Sequence, residues 1–203
     1  MNSSSGSRPG DRPVAENLLS ALQTAVAWLE EHDYRYAVIG GLANQHWGIP
    51  RLTHDVDIKV LVPNTEYPAV RAALRAAFPE RGRPARPPQP LIVDVKIAGV
   101  TVDFLLAIPG YDEQVVTRAV RRDLDGLSLW LCTAEDLIIQ KAVAGRARDW
   151  QDIEGVLIEQ HGRLDLPYLE DWLGQFAELL ERPEILTQYR AIQDRIAETL
   201  TNL

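Results

Sequence analysis

The octet Asp55-Val-Asp-Ile-Lys-Val-Leu-Val62 constrains the chain more than any other stretch. Val56, Ile58, Val60 and Val62 make an unbroken apolar set, while Asp55 and Asp57 open the alternate positions. Successive side chains of a strand point to opposite sides. The segment therefore reads as a strand with one buried face and both carboxylates on the other, roughly 7 Å apart. Two like charges so placed repel unless a cation lies between them. Folding does not ask for such a pair, so a bound metal is the first reading. Just upstream, the apolar run ending at Ile39 reads as a strand stopped by Gly40 and Gly41. Residues 42–47 then make a short helix halted by Gly48 and Pro50.

A length of 203 residues allows one or two domains with a real core, and 46% hydrophobic with 25% charged residues is ordinary for a globular chain. The net charge of −8 argues against a surface that coats nucleic acid indiscriminately, though it leaves room for a local basic groove. Cys132, the single cysteine, lies in the apolar run Leu129-Trp130-Leu131-Cys132. It cannot make an internal disulfide and reads as an inert buried thiol in a reducing cytoplasm. The chain shows no apolar run of membrane-spanning length and no signal-peptide pattern. Residues 1–13 are polar, small and Pro/Gly-containing, which predicts a disordered lead-in.

Apolar positions at Leu18, Leu22, Val26 and Leu29 predict a helix over 14–31, and Val70, Leu74 and Ala77 another over 66–78. Residues 79–90 are rich in proline and carry Arg81, Arg83 and Arg86; they read as a solvated connector, with a substrate-contacting loop as the alternative. Residues 91–97 and 100–106 alternate on either side of Ala98 and Gly99 and predict a hairpin. A tight two-residue turn would set Ile97 opposite Val100 and Asp94 opposite Asp103, again a pair in want of a cation or a shared proton. A helix over 112–122 and a strand over 126–132 follow. Thr133-Ala-Glu-Asp136 is a capping signature for a helix over 137–145, and helices over 149–159, 167–180 and 183–200 complete the chain.

Gly40 and Gly41, Asp55-x-Asp57 on a strand and Asp103 on a later strand together resemble the polymerase-β-type nucleotidyltransferase superfamily. In finer detail, Gly-Gly-x-Ala at 40–43, Arg51-x-Thr-x-Asp-x-Asp57 and the Lys141, Arg146, Asp149, Asp152 set resemble the AbiEii-type nucleotidyltransferases. Some members of that group are toxins of toxin–antitoxin pairs. The resemblance covers roughly residues 35–160 and implies an α+β fold. That fold has a palm-like mixed β-sheet with flanking helices over 14–132, then an all-helical C-terminal part over 133–203.

The resemblance further implies transfer of an NMP group from an NTP to a hydroxyl acceptor, with two Mg²⁺ ions (or Mn²⁺) held by hard oxygen ligands. Asp55 and Asp57 would bridge the ions, and Asp103 would complete the set and serve as base. Gly40 and Gly41 would let backbone N–H groups approach the triphosphate at a helix N-terminus. Lys141 would steady the β/γ-phosphates, with Arg51 as a second phosphate partner. Gly41 stands where the better-known branch has serine, which removes one side-chain phosphate contact. Asp94 rivals Asp103 as third carboxylate, but the Val-Asp-Phe-Leu setting favours Asp103. His46 and His54 lack zinc-ligand spacing, and Trp47 and Tyr111 suit packing more often than base stacking. The acceptor implied is RNA, such as a tRNA 3′ end, with a cognate antitoxin protein as partner. The alternatives are adenylylation of a small molecule or a protein hydroxyl, and a non-enzymatic role in a toxin–antitoxin pair.

Overall fold

The structure, a computed structural model, describes residues 11–85 and 87–201. The expected lead-in lies outside these residues as far as position 10, as does Arg86. Residues 11–13 are already helical, because a proline at position 13 falls in the first turn, where no intrahelical N–H is lost. In chain order the elements are α1 (Asp11–Glu31), β1 (Arg35–Ile39), α2 (Gly40–Trp47), β2 (Asp55–Leu61), α3 (Tyr67–Ala77), β3 (Ile92–Ile97), β4 (Val100–Leu106) and α4 (Tyr111–Thr117). They continue with β5 (Val120–Leu124), β6 (Leu127–Leu131), α5 (Ala134–Ala144), α6 (Ala147–Glu159), α7 (Leu166–Leu179) and α8 (Glu184–Thr201). Two compact units form. One comprises the chain up to Val38 with Thr53–Trp130, the other Ile39–Leu52 with the chain from Leu131 onward. The segment Ile39–Leu52, which sequence reading assigns to the α/β part, thus clusters with the C-terminal helices.

The first unit is built on a six-stranded sheet in the order β3-β4-β2-β1-β6-β5. β2 runs parallel to β4, and β3 antiparallel to it, so the sheet is mixed as expected. Its core face is the even set of β2 (Val56, Ile58, Val60) with Val102, Phe104 and Leu106 of β4 and Val93 and Val95 of β3, all buried. The stripe Leu18, Leu22, Val26 and Leu29 of α1 is buried too, and α1 packs against β2, β3 and β4. Phe78, just past α3, stacks on Phe104 at 6.0 Å between ring centroids and meets Trp28 of α1 edge-on at 6.1 Å.

Both tight hairpins depend on turns with positive φ. Ala98 (φ 49°) and Gly99 (φ 80°) join β3 to β4, and Asp125 (φ 52°) and Gly126 (φ 84°) join β5 to β6. Such turns match the right-handed twist of the strands they connect. The first sets Ile97 opposite Val100 and Asp94 opposite Asp103, the register read from the sequence. The second overturns the helix expected over 112–122, since α4 ends at Thr117 and Val120 starts a strand. β5 carries Arg121, Arg122 and Asp123 on an edge of the sheet, so apolar alternation is nearly absent there; the Asp-Gly turn was its usable signal.

In the second unit α5 packs on α6, α7 and α8, and α2 on α5 and α6. Ile138, Ile139, Ile153, Val156, Leu169, Leu173 and Ile185 are fully buried. Thr133 caps α5 as its sequence predicts, its hydroxyl accepting from the Asp136 N–H at 3.2 Å. The Asp136 carboxylate in turn accepts from the Tyr168 hydroxyl of α7 at 2.7 Å. The Trp47 indole N–H donates to the Cys132 carbonyl at 2.8 Å, and the Gln160 amide donates to the Trp47 carbonyl at 2.8 Å. These bonds fasten the end of α2 to its neighbours. Cys132 is buried, and among the described residues no helix is long and apolar enough to cross a membrane.

Phe104 is fully buried and carries the stack on Phe78, so Phe104→Ala should cost about 3–5 kcal/mol of stability. Urea denaturation followed by tryptophan fluorescence measures it, and an unchanged midpoint would contradict this packing.

Candidate active site

The sheet face opposite the core is where the carboxylates gather. Parallel pairing sets Asp57 beside Asp103, and antiparallel pairing sets Asp103 beside Asp94, so three aspartates form one row across β2, β4 and β3. Asp55 lies two residues before Asp57 on the same face, in register with Thr101. Asp55, Asp57 and Asp103, the carboxylates predicted from sequence, are therefore on one face of adjacent strands. The hydroxyl of Thr53 donates to Asp55 Oδ1 at 3.3 Å.

Four acids this close need positive charge, and it comes from the segment read as a solvated connector. The segment 80–83 lies along β3: Lys96 N–H donates to the Glu80 carbonyl at 2.8 Å, and Gly82 N–H to the Asp94 carbonyl at 3.5 Å. Gly82 is needed there, because a Cβ would stand 2.7 Å from the Val95 carbonyl oxygen and 2.7 Å from Thr101 Cγ2. That close docking aims the flanking arginines at the acids. Arg83 N–H donates to Asp94 Oδ2 at 2.8 Å, Arg81 Nη2 donates to Asp94 Oδ1 at 3.3 Å, and Arg75 Nη2 lies 3.6 Å from the same oxygen. The Arg83 guanidinium reaches the other two. Its Nη1 donates to both oxygens of Asp103, at 2.5 Å to Oδ2, and its Nη2 to Asp55 Oδ2 at 3.2 Å.

The two candidates for third carboxylate separate on these contacts. Burial raises the Asp94 pKa, but the Arg83 N–H and the Arg81 side chain outweigh it and hold the carboxyl below its ordinary value. Asp94 anchors the loop. Asp103 goes the other way: burial lifts its carboxyl above the ordinary range, Asp55 and Asp94 add to this, and Arg83 offsets it in part.

Among the described residues no three carboxylate, imidazole or thiolate side chains converge as a ready-made cation cage. The donors nonetheless fit a hard divalent ion in type, being carboxylate oxygens on rigid neighbouring strands. The guanidinium bonded at once to Asp103 and Asp55 marks where positive charge belongs.

Gly40 and Gly41 stand at the junction of β1 and α2. Gly40 adopts φ 66°, in the left-handed region that favours glycine, and α2 begins with no side-chain cap and no acid in its first turn. Arg51 and Lys141, the expected phosphate partners, are both held by Asp152 of α6. Arg51 grips it with two bonds, Nε to Oδ1 and Nη2 to Oδ2, each 2.7 Å. Lys141 Nζ, buried, donates to Asp152 Oδ2 at 2.5 Å and lies 3.6 Å from Asp149 Oδ1. Asp149 also accepts from Arg146, at 2.6 Å from Nε. Burial raises the Asp152 pKa, but the hydrogen bonds from Arg51 and Lys141 prevail and keep its carboxyl below the ordinary value. Sequence reading placed Asp152 in one set with Lys141 but missed its junction with Arg51, 101 positions away.

A family profile described as "Nucleotidyltransferase of unknown function (DUF6036)" matches residues 16–196. No curated protein matches the chain by sequence. An antigenic nucleotidyltransferase-like protein from Paracoccidioides brasiliensis superposes with a TM-score of 0.52 at 16% identity, over 88% of this chain and 94% of that one. A Thermotoga maritima protein described as a nucleotidyltransferase gives 0.49 at 16% identity, over 72% and 96%. The antibiotic-resistance factor ANT(2'')-Ia, solved with adenylyl-2''-tobramycin, gives 0.44 at 12% identity, over 89% and 98%. The first likeness shows the fold alone, and the other two are too slight to add to it.

Asp152→Asn removes the charge that Lys141 and Arg51 share and should cost about 3 kcal/mol at neutral pH, since it leaves a buried ammonium to the more distant Asp149, 3.6 Å away. Because the Asp152 pKa is depressed on folding, its contribution is present above the ordinary carboxylate range and lost as pH falls through the folded value. The gap in melting temperature between wild type and variant should therefore close in acid. A gap independent of pH would refute the assignment.

Proposed function

From the premise that this chain belongs to the nucleotidyltransferase family whose profile spans residues 16–196, we propose that it moves an NMP group from an NTP to a hydroxyl acceptor, using Asp55, Asp57 and Asp103. The observation that carries the reading is the register pairing Asp57 with Asp103, with Asp55 on the same face. Mg²⁺ bound by these oxygens, two ions in this reading with Mn²⁺ as a substitute, supplies charge neutralisation on the phosphates and activation of the acceptor hydroxyl.

The chain's own residues do the rest. Asp103 takes the proton of the acceptor hydroxyl, a role that suits its place beside Asp57 in the carboxylate row. Gly40 and Gly41 present backbone N–H groups to phosphate, which suits the left-handed Gly40 and the uncapped start of α2. Arg51, Lys141 and Arg146, three cations around the two carboxylates of Asp149 and Asp152, leave a unit of positive charge for the same anion. The pairing orients these groups rather than leaving them to swing.

For the acceptor, the arginines of α3 and the following loop favour an anionic partner. Arg71 lies close in sequence to Arg75, Arg81 and Arg83. Those three face Asp94, Asp103 and Asp55 and so offset the negative charge of the row that an anion must approach, in a chain of net charge −8. That supports RNA, with a tRNA 3′ end and a cytoplasmic toxin role paired with an antitoxin as the specific form, in keeping with the likeness to the AbiEii-type enzymes.

Incubating the protein with each α-labelled NTP, Mg²⁺ and total cellular RNA should label a discrete RNA. Asp57→Asn should cut transfer by about 100-fold or more while circular dichroism is unchanged. A blank lane across all four NTPs would overturn the RNA acceptor and direct the search to small-molecule and protein hydroxyls. Full transfer by the variant would overturn the carboxylate assignment.

A further inference from the structure

Arg83 belongs to no motif, yet its guanidinium donates to both oxygens of Asp103 and to Asp55. Its backbone is pinned from two directions, by its own N–H on Asp94 and by the close seating of Gly82 on β3 and β4. The side chain is a different matter. The guanidinium bridges Asp103, one strand from its anchor, and Asp55, two strands from it, and the side chain is 26% exposed. The main chain is therefore a fixed pivot, while the charged head can leave by side-chain rotation alone.

We propose that Arg83 is a built-in counter-cation of the carboxylate row, in direct competition with divalent metal for Asp55 and Asp103, and released in favour of metal when a triphosphate arrives to receive it. The inference rests on the metal reading of Asp55, Asp57 and Asp103. Its physical basis is charge. Four acids on one sheet face repel one another, and the guanidinium relieves that repulsion before any ion enters. An ion binding alone must displace two charge-assisted contacts and leave the guanidinium without a partner. An ion arriving with a polyphosphate brings new acceptor oxygens, and the pinned backbone keeps the displaced head within side-chain reach of the row. Metal and nucleotide thus bind cooperatively, and by linkage the coupling is reciprocal. A guanidinium suits this exchange better than an ammonium, because its fork meets carboxylate and phosphate oxygens equally well.

The test is Mn²⁺ binding to the full chain, read from the electron paramagnetic resonance signal of free Mn²⁺, with and without a non-hydrolysable ATP analogue. Arg83→Gln keeps the backbone N–H that anchors the loop and should bind Mn²⁺ alone about tenfold more tightly than wild type. The strengthening of Mn²⁺ binding by the analogue should shrink in the same variant. Without metal its melting temperature should fall, and Mn²⁺ should restore it, which separates a lost counter-cation from a damaged fold. Arg83→Lys, which keeps the charge and loses the fork, should fall between the two. Equal or weaker Mn²⁺ binding by Arg83→Gln, beside a wild type that binds and an Asp57→Asn variant that does not, would overturn the role of Arg83 alone. Absence of Mn²⁺ binding in every variant, with analogue present, would overturn the metal reading and this inference with it.

Discussion

Mutual repulsion among Asp55, Asp57, Asp94 and Asp103 is the constraint to which the rest of the first unit answers. Strand pairing forces them together: the β2–β4 and β3–β4 registers leave no freedom to separate the row without breaking ladder hydrogen bonds. Like charges directly across a sheet are destabilising, so the chain supplies arginines from outside it. Arg81 and the Arg83 backbone hold Asp94, and the Arg83 side chain holds Asp103 and Asp55. The loop's path, the glycine at 82 and the seating of Glu80 against Lys96 all follow from that need.

The second unit meets a related problem with the signs reversed. There the buried Lys141 is the costly charge, and Asp152 is the group that makes its burial tolerable, assisted by Asp149. Bidentate bonding from Arg51 completes the Asp152 oxygens and ties the segment after α2 to α6. The Lys141, Arg146, Asp149 and Asp152 pattern is thus a connected ionic network. Its first effect is to fix the cations in place, and whatever they do for a phosphate starts from that fixed geometry.

Much of this was legible from sequence wherever local rules decide. The alternation of 55–62 separated core from carboxylates, and a tight turn at Ala98 and Gly99, once granted, carried the Asp94–Asp103 register with it. Thr133 announced its helix. The family resemblance rested on residues spaced along the chain, and the family profile bears it out at the level of nucleotidyltransferase. What escaped were features set by tertiary contact. β5 has too many charges to show a strand period, and residues 79–90 have too many prolines to announce an edge contact. Arg83 and Asp152 acquire their partners only in the folded chain, from positions 11 to 101 residues distant. No periodicity carries that information.

β3 is an edge strand, and an edge strand offers unpaired peptide groups to any passing chain. The hydrogen bonds of Glu80 and Gly82 occupy that margin, and the isolated bridge of Gln89 to Ile92 covers more of it. The segment that delivers Arg83 is thus also the hem that keeps the sheet from fraying into its neighbours. Drift in residues 79–90 is answerable to solubility as well as to chemistry. A shorter or less proline-bound version would free the arginine and bare the strand in the same step.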